Sequence, residues 1–325
     1  MFGNPIFAEK ISTALTHADL PSSPENLYQP IKYILSLAGK RIRPQLVILG
    51  ADLFGCLDMD EVVPASVAIE YFHNFTLIHD DIMDKAPLRR GQATVHQKWN
   101  EDVAILSGDA LLIKAYEQLA KCPAVFVPIL LKAFNKVALE VCEGQQMDMD
   151  FESREDVTEE EYVNMIRLKT SVLLGGALEL GAIISNASDE DRFKLYNFGV
   201  NLGIAFQLQD DILDAFGDPD TFGKQVGGDI IVNKKTILHI LLKQGLDRED
   251  LELFDAVLSL PLSESNSKVE QMKMLYGKYD ILQKANALKE LYTQHAYASL
   301  DDINVEESRK EDLRSLADRL MYRAR

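Results

Sequence analysis

The chain has 325 residues, a length that permits one large domain or two ordinary ones. Hydrophobic residues make up 47% and charged residues 26%, a globular balance that excludes long disordered tails, collagen and coiled-coil designs. The 34 Lys and Arg stand against 51 Asp and Glu, and the resulting net charge of −17 argues against general binding of nucleic acid. Phosphates would have to be bound in a local basic pocket or through metal ions.

Cysteine usage and the apolar runs indicate where the protein works. Cys56, Cys122 and Cys142 form no C-x-x-C pair and are expected to be buried thiols in a reducing compartment. The first residues lack a basic stretch followed by an apolar core, so no secretory signal is expected. The longest clean apolar run, residues 124–131, falls short of the ~18 residues of a membrane span. The sequence therefore predicts a soluble, cytoplasmic protein without integral membrane association.

Apolar residues recur at spacings of three and four along almost the whole chain, which is the pattern of amphipathic helices. Helices are predicted over 25–53, 62–83, 103–119, 127–147, 159–184, 190–216 and 236–242, then over 250–260, 269–276, 279–299 and 309–323. Ser23-Pro24 predicts a helix start with proline at its first position, and Thr158 with Glu161 predicts a capping box. Strand signals are nearly absent. The expected fold is all-α, a single-domain bundle of about ten or more helices over residues 1–325.

Two aspartate triplets stand out, and they share one spacing. They are Asp80, Asp81 and Asp84 in LIHDDIMD, and Asp210, Asp211 and Asp214 in QLQDDILD. At 100° per residue, each triplet projects from about a quarter-turn of one helix, where unpaired carboxylates repel one another. A single triplet is ordinarily a solvated acidic face. Two copies on strongly apolar helices indicate divalent cations, since Mg²⁺ takes one or two carboxylates and completes its shell with waters and substrate phosphates.

Basic residues lie close to these triplets along the chain. Lys40 and Arg43 are three apart in GKRIRP and are expected on one helix face, Arg89-Arg90 follow the first triplet, Lys169-Thr170 lie on an apolar helix, and Lys224 and Lys234 flank the loop after the second triplet. Each alone is ordinarily a solvated charge in so acidic a chain. Together they supply both kinds of phosphate ligand, the arginine fork and the lysine point charge.

The segments GKRIRP, DDIMD, RRG, KT, FQLQDD and GGDI occur in an order that resembles the trans-isoprenyl diphosphate synthases of the polyprenyl synthetase family, from Lys40 to Lys234. The resemblance implies the all-α isoprenoid synthase fold around a central apolar cavity, in a homodimer. It implies Mg²⁺-dependent, head-to-tail condensation of isopentenyl diphosphate with an allylic diphosphate (dimethylallyl, geranyl or farnesyl). The six aspartates would hold up to about three Mg²⁺ ions per active site, which Mn²⁺ can replace.

The resemblance also implies individual roles. The allylic diphosphate would bind through Mg²⁺ to the aspartates, Asp80, Asp84 and Asp210 foremost, and would be contacted by Arg89, Lys169 and Lys224, with Lys234 as a further substrate ligand. Isopentenyl diphosphate would be held by Lys40, Arg43, His73 and Arg90. His73 precedes Asp80 by two helical turns and therefore lies on the same face. Thr170 and Gln207 would turn oxygen dipoles toward the allylic cation, and the released pyrophosphate would take the proton.

Product length is expected to depend on the helix that precedes Asp80. Phe75 lies about 7.5 Å and Phe72 about 12 Å before Asp80 along the helix axis. An isoprene unit spans roughly 5 Å, so geometry alone leaves three and four units open. An aromatic residue five before the motif, beside the small Thr76, is similar to synthases that make geranylgeranyl diphosphate. Farnesyl diphosphate is the next expectation.

Two other functions remain open on sequence grounds. Class I terpene cyclases share DDxxD and an all-α fold, although their second metal motif carries Asn, Ser and Glu ligands. A regulatory subunit of a heteromeric synthase would be expected to lose motif residues, and here the motifs are complete. Pyrophosphate release separates the three: a cyclase needs only the allylic diphosphate, a synthase needs isopentenyl diphosphate too, and a subunit releases none.

Asp80→Ala and Asp210→Ala are each expected to lower turnover at least about a hundredfold, since each removes electrostatic stabilisation of several kcal/mol from the transition state. Steady-state kinetics with both substrates and millimolar-range Mg²⁺ measures the loss. Full activity of the wild-type protein in excess chelator would contradict the metal hypothesis.

Overall fold

The computed structural model describes residues 5–16, 20–56, 58–217 and 227–321. Most of them are α-helical, which confirms the all-α prediction. The helices are α1 (Pro5–Thr16), α2 (Glu25–Ser36), α3 (Ile42–Leu53), α4 (Val63–Met83), α5 (Val95–Lys98), α6 (Glu101–Leu119), α7 (Val127–Ser153), α8 (Glu159–Ile166), α9 (Val172–Ile184), α10 (Asp189–Phe216), α11 (Gly228–Ile231), α12 (Ile237–Gly245), α13 (Arg248–Leu258), α14 (Ser265–Lys278), α15 (Ile281–Asp301) and α16 (Glu307–Met321). A π-helical segment, Arg167–Ser171, joins α8 to α9, and 3₁₀ turns occur at Met59–Glu61 and Leu262–Glu264.

The described residues within Met1–Ala138, Gly176–Leu195 and Asn304–Asp312 form one compact unit. Helix α4 is central to it and packs against α6 and α3. Successive α4 residues such as Ala68, Ile69 and Phe72 are all buried. Because buried residues cover most of its circumference, α4 is a core helix rather than an amphipathic surface helix. The first aspartate triplet therefore lies at the end of a core helix of this unit.

Small residues let two backbones of this unit come into direct contact. A Cβ atom added to Gly181 on α9 would lie 2.0 Å from the carbonyl oxygen of Val47 on α3, and one added to Gly50 would lie 2.3 Å from that of Leu178. Neither neighbour is a flexible side chain that could swing aside. Glycine at both positions is what allows α3 and α9 to pack this closely.

The described residues within Leu139–Gly175, Tyr196–Ile303 and Leu313–Arg325 form the second compact unit. Helix α12 packs there against α15, and Phe198, Ile237 and Phe254 are fully buried. Helix α8 starts with the predicted capping box, in which the Thr158 hydroxyl and the Glu161 carboxylate each accept from the other residue's backbone N–H.

The π-helical segment owes its position to a glycine on α7. A Cβ atom on Gly144 would lie 2.2 Å from the backbone nitrogen of Lys169, so only glycine permits this approach. The predicted helix over 159–184 is thus present, but it contains a π-helical turn that was not predicted. π-Bulges of this kind are frequent at functional sites, and this one carries Lys169 and Thr170.

The predicted helix over 25–53 is wrong in one place, because α2 ends at Ser36 and α3 begins at Ile42. Arg41 has φ 47°, a left-handed conformation that cannot continue a helix. Lys40 therefore lies in the connection and does not share a helix face with Arg43, as the spacing predicted. The predicted proline at the first position of α2 is shifted by one residue, since Pro24 itself is the N-cap.

A small hairpin was also missed. Leu88–Arg89 (β1) pairs antiparallel with Gln92–Ala93 (β2), and the two residues between the strands, Arg90 and Gly91, have φ 53° and 74°. Positive φ at both central residues is the signature of a type I′ turn, which matches the twist of a hairpin. Arginine is an unusual residue at such a position, and that concealed the turn in the sequence.

Within the described ranges, no helix combines the length and the apolar composition that crossing a bilayer requires. The prediction of a single domain over residues 1–325 stays a prediction.

Gly181→Ala is expected to lower the midpoint of thermal unfolding by several degrees, because overpacking against a backbone carbonyl costs about 1–3 kcal/mol. Gly277→Ala on α14 is the matched control, since a Cβ atom there meets nothing within 4 Å. Differential scanning calorimetry compares the two variants with the wild type. Equal midpoints for Gly181→Ala and the wild type would refute the close-packing interpretation.

Candidate active site

The first aspartate triplet lies at the C-terminal end of α4, and its three carboxylates differ in environment. Helix α4 ends at Met83, so Asp84 is the C-cap residue and is exposed. Asp80 is partly buried, whereas Asp81 is only 1% exposed. The three carboxylates were predicted to project from the same quarter-turn of the helix. In the structure two of them are accessible and the third is buried.

Arg89 neutralises the buried carboxylate. Its Nε lies 2.9 and 2.8 Å from the two carboxylate oxygens of Asp81, and one terminal nitrogen lies 2.7 Å from Oδ1. The β1–β2 hairpin carries the chain back toward α4 and presents Arg89 to the helix end. A buried carboxylate is tolerated only when it is paired in this way. The sequence predicted a phosphate contact for Arg89, and the structure places its guanidinium on Asp81.

Three of the predicted substrate residues come together in this unit. The Arg43 guanidinium donates to Nε2 of His73 at 3.1 Å, and since arginine has no acceptor, Nε2 of His73 is unprotonated. Burial, and after it the charge of Arg43, holds the pKa of His73 well below its usual range, so the imidazole is neutral at pH 7. Arg90 adds to the positive field on both groups.

This Arg43–His73–Arg90 cluster has the chemistry of an anion site. Burial lowers the pKa of Arg43 to about 10, which leaves it charged at neutral pH. Its Nε is buried and has no acceptor among the described residues. A buried donor without a partner is rare in folded proteins and is available to an incoming anion. The Arg90 guanidinium lies over Gly39, where a Cβ atom would be 2.5 Å from a terminal nitrogen.

A buried ion pair secures the turn that precedes Arg43. Arg41 bonds to Glu70, which is 2% exposed, and to the carbonyl oxygens of Leu35 and Leu37. Arg90 also donates to Leu37, at 3.3 Å. Glu70 was not among the predicted site residues, although a glutamate inside the apolar run of α4 was a visible signal of a buried partner.

Aromatic side chains lie on α4 before the aspartates. The ring of Phe75 lies 5.7 Å from Phe72 and 4.7 Å from the imidazole of His79, and Phe72 in turn lies 5.3 Å from Phe134. Phe72 is fully buried and Phe75 partly so. Thr76 is also partly buried, and its hydroxyl donates back to the His73 carbonyl at 2.8 Å. Phe75 is thus the more accessible of the two phenylalanines among the three predicted chain-length residues.

The second aspartate triplet lies on α10 in the other unit and shows the same division. Asp210 and Asp214 are partly buried, and Asp211 is 3% exposed. The Tyr162 hydroxyl donates to Oδ2 of Asp211, and Gln207 donates to Oδ1 at 3.4 Å. Burial raises the pKa of Asp211 to about 7, while these hydrogen bonds oppose the rise. The atom of Gln207 that contacts Asp211 is the side-chain amide nitrogen, whereas the predicted role toward the substrate cation belongs to its amide oxygen.

The segment after the described gap is attached to Asp214. The Asp214 carboxylate accepts a hydrogen bond from the backbone N–H of Asp229 at 3.0 Å, and the Asp214 carbonyl oxygen accepts one from the backbone N–H of Gly227 at 2.6 Å. Lys234 donates its backbone N–H to the Asp229 carbonyl at 2.9 Å and forms a 4.0 Å ion pair with the Asp229 carboxylate. This places Lys234 in the neighbourhood of the second triplet. Lys224 lies outside the described residues.

Lys169 forms an ion pair that was not predicted. On the π-helical segment, its Nζ lies 2.5 Å from a carboxylate oxygen of Asp148 on α7, and both side chains are about one-quarter exposed, at 24% and 25%. Thr170 beside it is partly buried. Asp148 and Tyr162 each bind a residue that stands at no characteristic spacing from them in the sequence. Neither could therefore be identified as a site residue before the fold was known.

The donor set fits hard divalent cations without forming a closed cage. Among the residues that the structure describes, no three His, Cys, Asp or Glu side chains converge on a point that could hold a metal. Mg²⁺ needs only one or two carboxylates when waters and phosphate oxygens complete its shell. Asp80 and Asp84 in the first unit, and Asp210 and Asp214 in the second, are partly or fully accessible carboxylates of this kind. Protein donors engage both oxygens of Asp81 and of Asp211.

Comparison with known proteins gives this geometry its context. The profile of the polyprenyl synthetase family matches residues 24–276. A geranylgeranyl diphosphate synthase of Methanosarcina mazei is 44% identical over 241 residues, which are 71% of this chain and 74% of that protein. A geranylfarnesyl diphosphate synthase of Natronomonas pharaonis is 40% identical over 261 residues, 75% of this chain and 76% of that protein. A crystal structure of a geranylgeranyl pyrophosphate synthase aligns with a TM-score of 0.91 at 42% identity, covering 98% of this chain and 96% of that one. The chain therefore belongs to the polyprenyl synthetase family, and it is a prenyltransferase.

Proposed function

We propose that the protein condenses isopentenyl diphosphate with allylic diphosphates and that its main product is geranylgeranyl diphosphate. The observation that carries the proposal is the Arg43–His73–Arg90 cluster, which has the chemistry of an anion site and contains none of the six aspartates. A terpene cyclase has no second diphosphate to bind and gives no reason for such a cluster. The complete aspartate motifs argue against a subunit without activity of its own.

In this proposal the accessible aspartates hold Mg²⁺, namely Asp80 and Asp84 on α4 and Asp210 and Asp214 on α10. When bound, the metal supplies positive charge against the pyrophosphate that leaves the allylic substrate. Asp81 and Asp211 complete the set of six aspartates proposed for the metal sites, and because protein donors hold their carboxylates, their part is to orient the other four. The proposed number of ions is up to about three per active site, and Mn²⁺ substitutes for Mg²⁺.

The cationic residues divide between the two substrates. Lys169, Lys224 and Lys234 contact the allylic diphosphate as point charges, and Arg89, which holds Asp81, is proposed to contact it as well. Isopentenyl diphosphate is bound by Lys40, Arg43, His73 and Arg90. Thr170 and Gln207 contribute oxygen dipoles near the allylic cation, and no protein base is required because the departing pyrophosphate accepts the proton. The protein is further proposed to be a homodimer in the cytoplasm. Light scattering after gel filtration measures the oligomeric state.

Arg43→Gln is expected to raise KM for isopentenyl diphosphate about 10- to 100-fold and to leave KM for the allylic substrate unchanged. The variant loses a charge-assisted hydrogen bond of about 1.5–3 kcal/mol. Arg248→Gln is the control, because the Arg248 side chain is 95% exposed on α13. Initial rates with each substrate varied in turn make the measurement. An equal rise in both KM values would remove the assignment of this cluster to isopentenyl diphosphate.

Phe75→Ala is expected to shift the products to longer chains, because truncation removes the aromatic barrier about 7.5 Å before Asp80. Phe193→Ala is the control, since Phe193 is 64% exposed. Mass spectrometry of the products formed by wild type and both variants makes the comparison. A wild-type product of 15 or 25 carbons would overturn the geranylgeranyl assignment, and an unchanged distribution in Phe75→Ala would show that Phe75 sets no limit.

A further inference from the structure

The hydroxyl of Tyr162 makes a buried hydrogen bond that the reaction as described above does not use. Tyr162 on α8 is 2% exposed, and the carboxylate that accepts its hydrogen bond, that of Asp211 on α10, is 3% exposed. An apolar core would not retain such a pair for stability alone, because well-packed apolar residues of the same size commonly do as well as a buried polar pair. The pair therefore calls for a reason other than stability.

Asp211 lies where three elements meet. Oδ2 accepts from the Tyr162 hydroxyl and, at 3.4 Å, from the backbone N–H of Ile237 at the start of α12, while Oδ1 accepts from Gln207 on its own helix. The carboxylate thus links α8, α10 and α12 within one compact unit. With both oxygens bound, its rotation about the Cβ–Cγ bond is restricted.

Each of these elements carries, or is directly joined to, a group with a proposed role. Helix α8 runs directly into the segment with Lys169, seven residues after Tyr162. Helix α10 carries Asp210 and Asp214, and α12 follows Lys234 by three residues. Misplacement of such groups by about 1 Å can cost a hundredfold in rate. The Asp211 carboxylate, which links the three elements, is therefore in a position to set the relative placement of Lys169, Lys234 and the two aspartates.

We propose that Tyr162 is a positioning residue, which through its hydrogen bond to Asp211 sets the orientation of Asp210 and Asp214 for metal binding. The inference rests on the proposed metal-binding role of those two aspartates. Tyr162 touches neither metal nor substrate in this account. Partners that orient metal ligands typically contribute 10- to 100-fold to metal affinity or activity.

Tyr162→Phe removes one hydroxyl and keeps the ring. It is expected to weaken Mn²⁺ binding about tenfold or more, measured by electron paramagnetic resonance of Mn²⁺ in the presence of inorganic pyrophosphate. It is also expected to lower kcat and raise the Mg²⁺ concentration for half-maximal rate, while KM for isopentenyl diphosphate stays unchanged. A purely structural role would lower the unfolding temperature without changing Mn²⁺ affinity in the folded protein.

Tyr196→Phe is the matched control. The Tyr196 hydroxyl donates to the Glu140 carboxylate at 3.3 Å in the same compact unit, and Tyr196 is 8% exposed. Its loss is expected to leave Mn²⁺ binding unchanged. Equal weakening in both tyrosine variants would overturn the assignment, because it would show a general effect of removing a buried hydroxyl.

A double-variant cycle tests the pathway. If Tyr162 acts through Asp211, the variant with Tyr162→Phe and Asp211→Asn together binds Mn²⁺ about as weakly as the weaker single variant. Additive losses would overturn the proposal, as would unchanged Mn²⁺ affinity in Tyr162→Phe. Should Tyr162→Phe not fold, Asp211→Asn tests the carboxylate through which Tyr162 acts, and unchanged Mn²⁺ affinity in that variant would overturn the proposal. A wild-type protein that binds Mn²⁺ but forms no prenyl product would instead refute the proposed function.

Discussion

The structure depends on a solution to one electrostatic problem, the crowding of three carboxylates on about one turn of a helix. Like charges at this spacing destabilise a helix and repel one another. In both compact units the middle aspartate is buried and bound by a protein donor, the Arg89 guanidinium for Asp81 and the Tyr162 hydroxyl for Asp211. The first and last aspartates then stay accessible. This arrangement suits Mg²⁺, which binds one or two carboxylates and several waters.

The loops around these helices are shaped to deliver the donors. A type I′ hairpin brings Arg89 back to α4, and the same turn sets Arg90 beside the connection that carries Gly39. Arg41, at positive φ, ties that connection to the buried Glu70 on α4. Arg41 and Arg90 are non-glycine residues in the left-handed region, and such residues persist where surrounding contacts over-determine them. The backbone strain and the cationic cluster thus occur in the same place.

Much of the fold could be predicted because helical periodicity is local. The ends of α4 and α10 agree with the predicted ranges to within one residue, since apolar spacing defines both helices. The errors came where a few backbone angles decide the outcome. Arg41 breaks a predicted helix and Arg90 turns a hairpin, and no side-chain pattern marks either residue. The wide turn at Lys169 depends on Gly144, which lies 25 residues earlier and could not be connected to it by spacing.

The amino-acid sequence by itself determined the all-α class, the two aspartate triplets and the basic residues around them. These features are local, because helical period and residue chemistry can be recognised within short segments. Tertiary structure alone decided which carboxylate of each triplet is withdrawn from solvent. That choice depends on Arg89 and Tyr162, which reach Asp81 and Asp211 across 8 and 49 residues of chain. It also decided that Arg43 meets His73, 30 residues away. Hydrogen bonds and ion pairs are short-ranged, so their partners are set by how the helices pack and not by their distance along the chain.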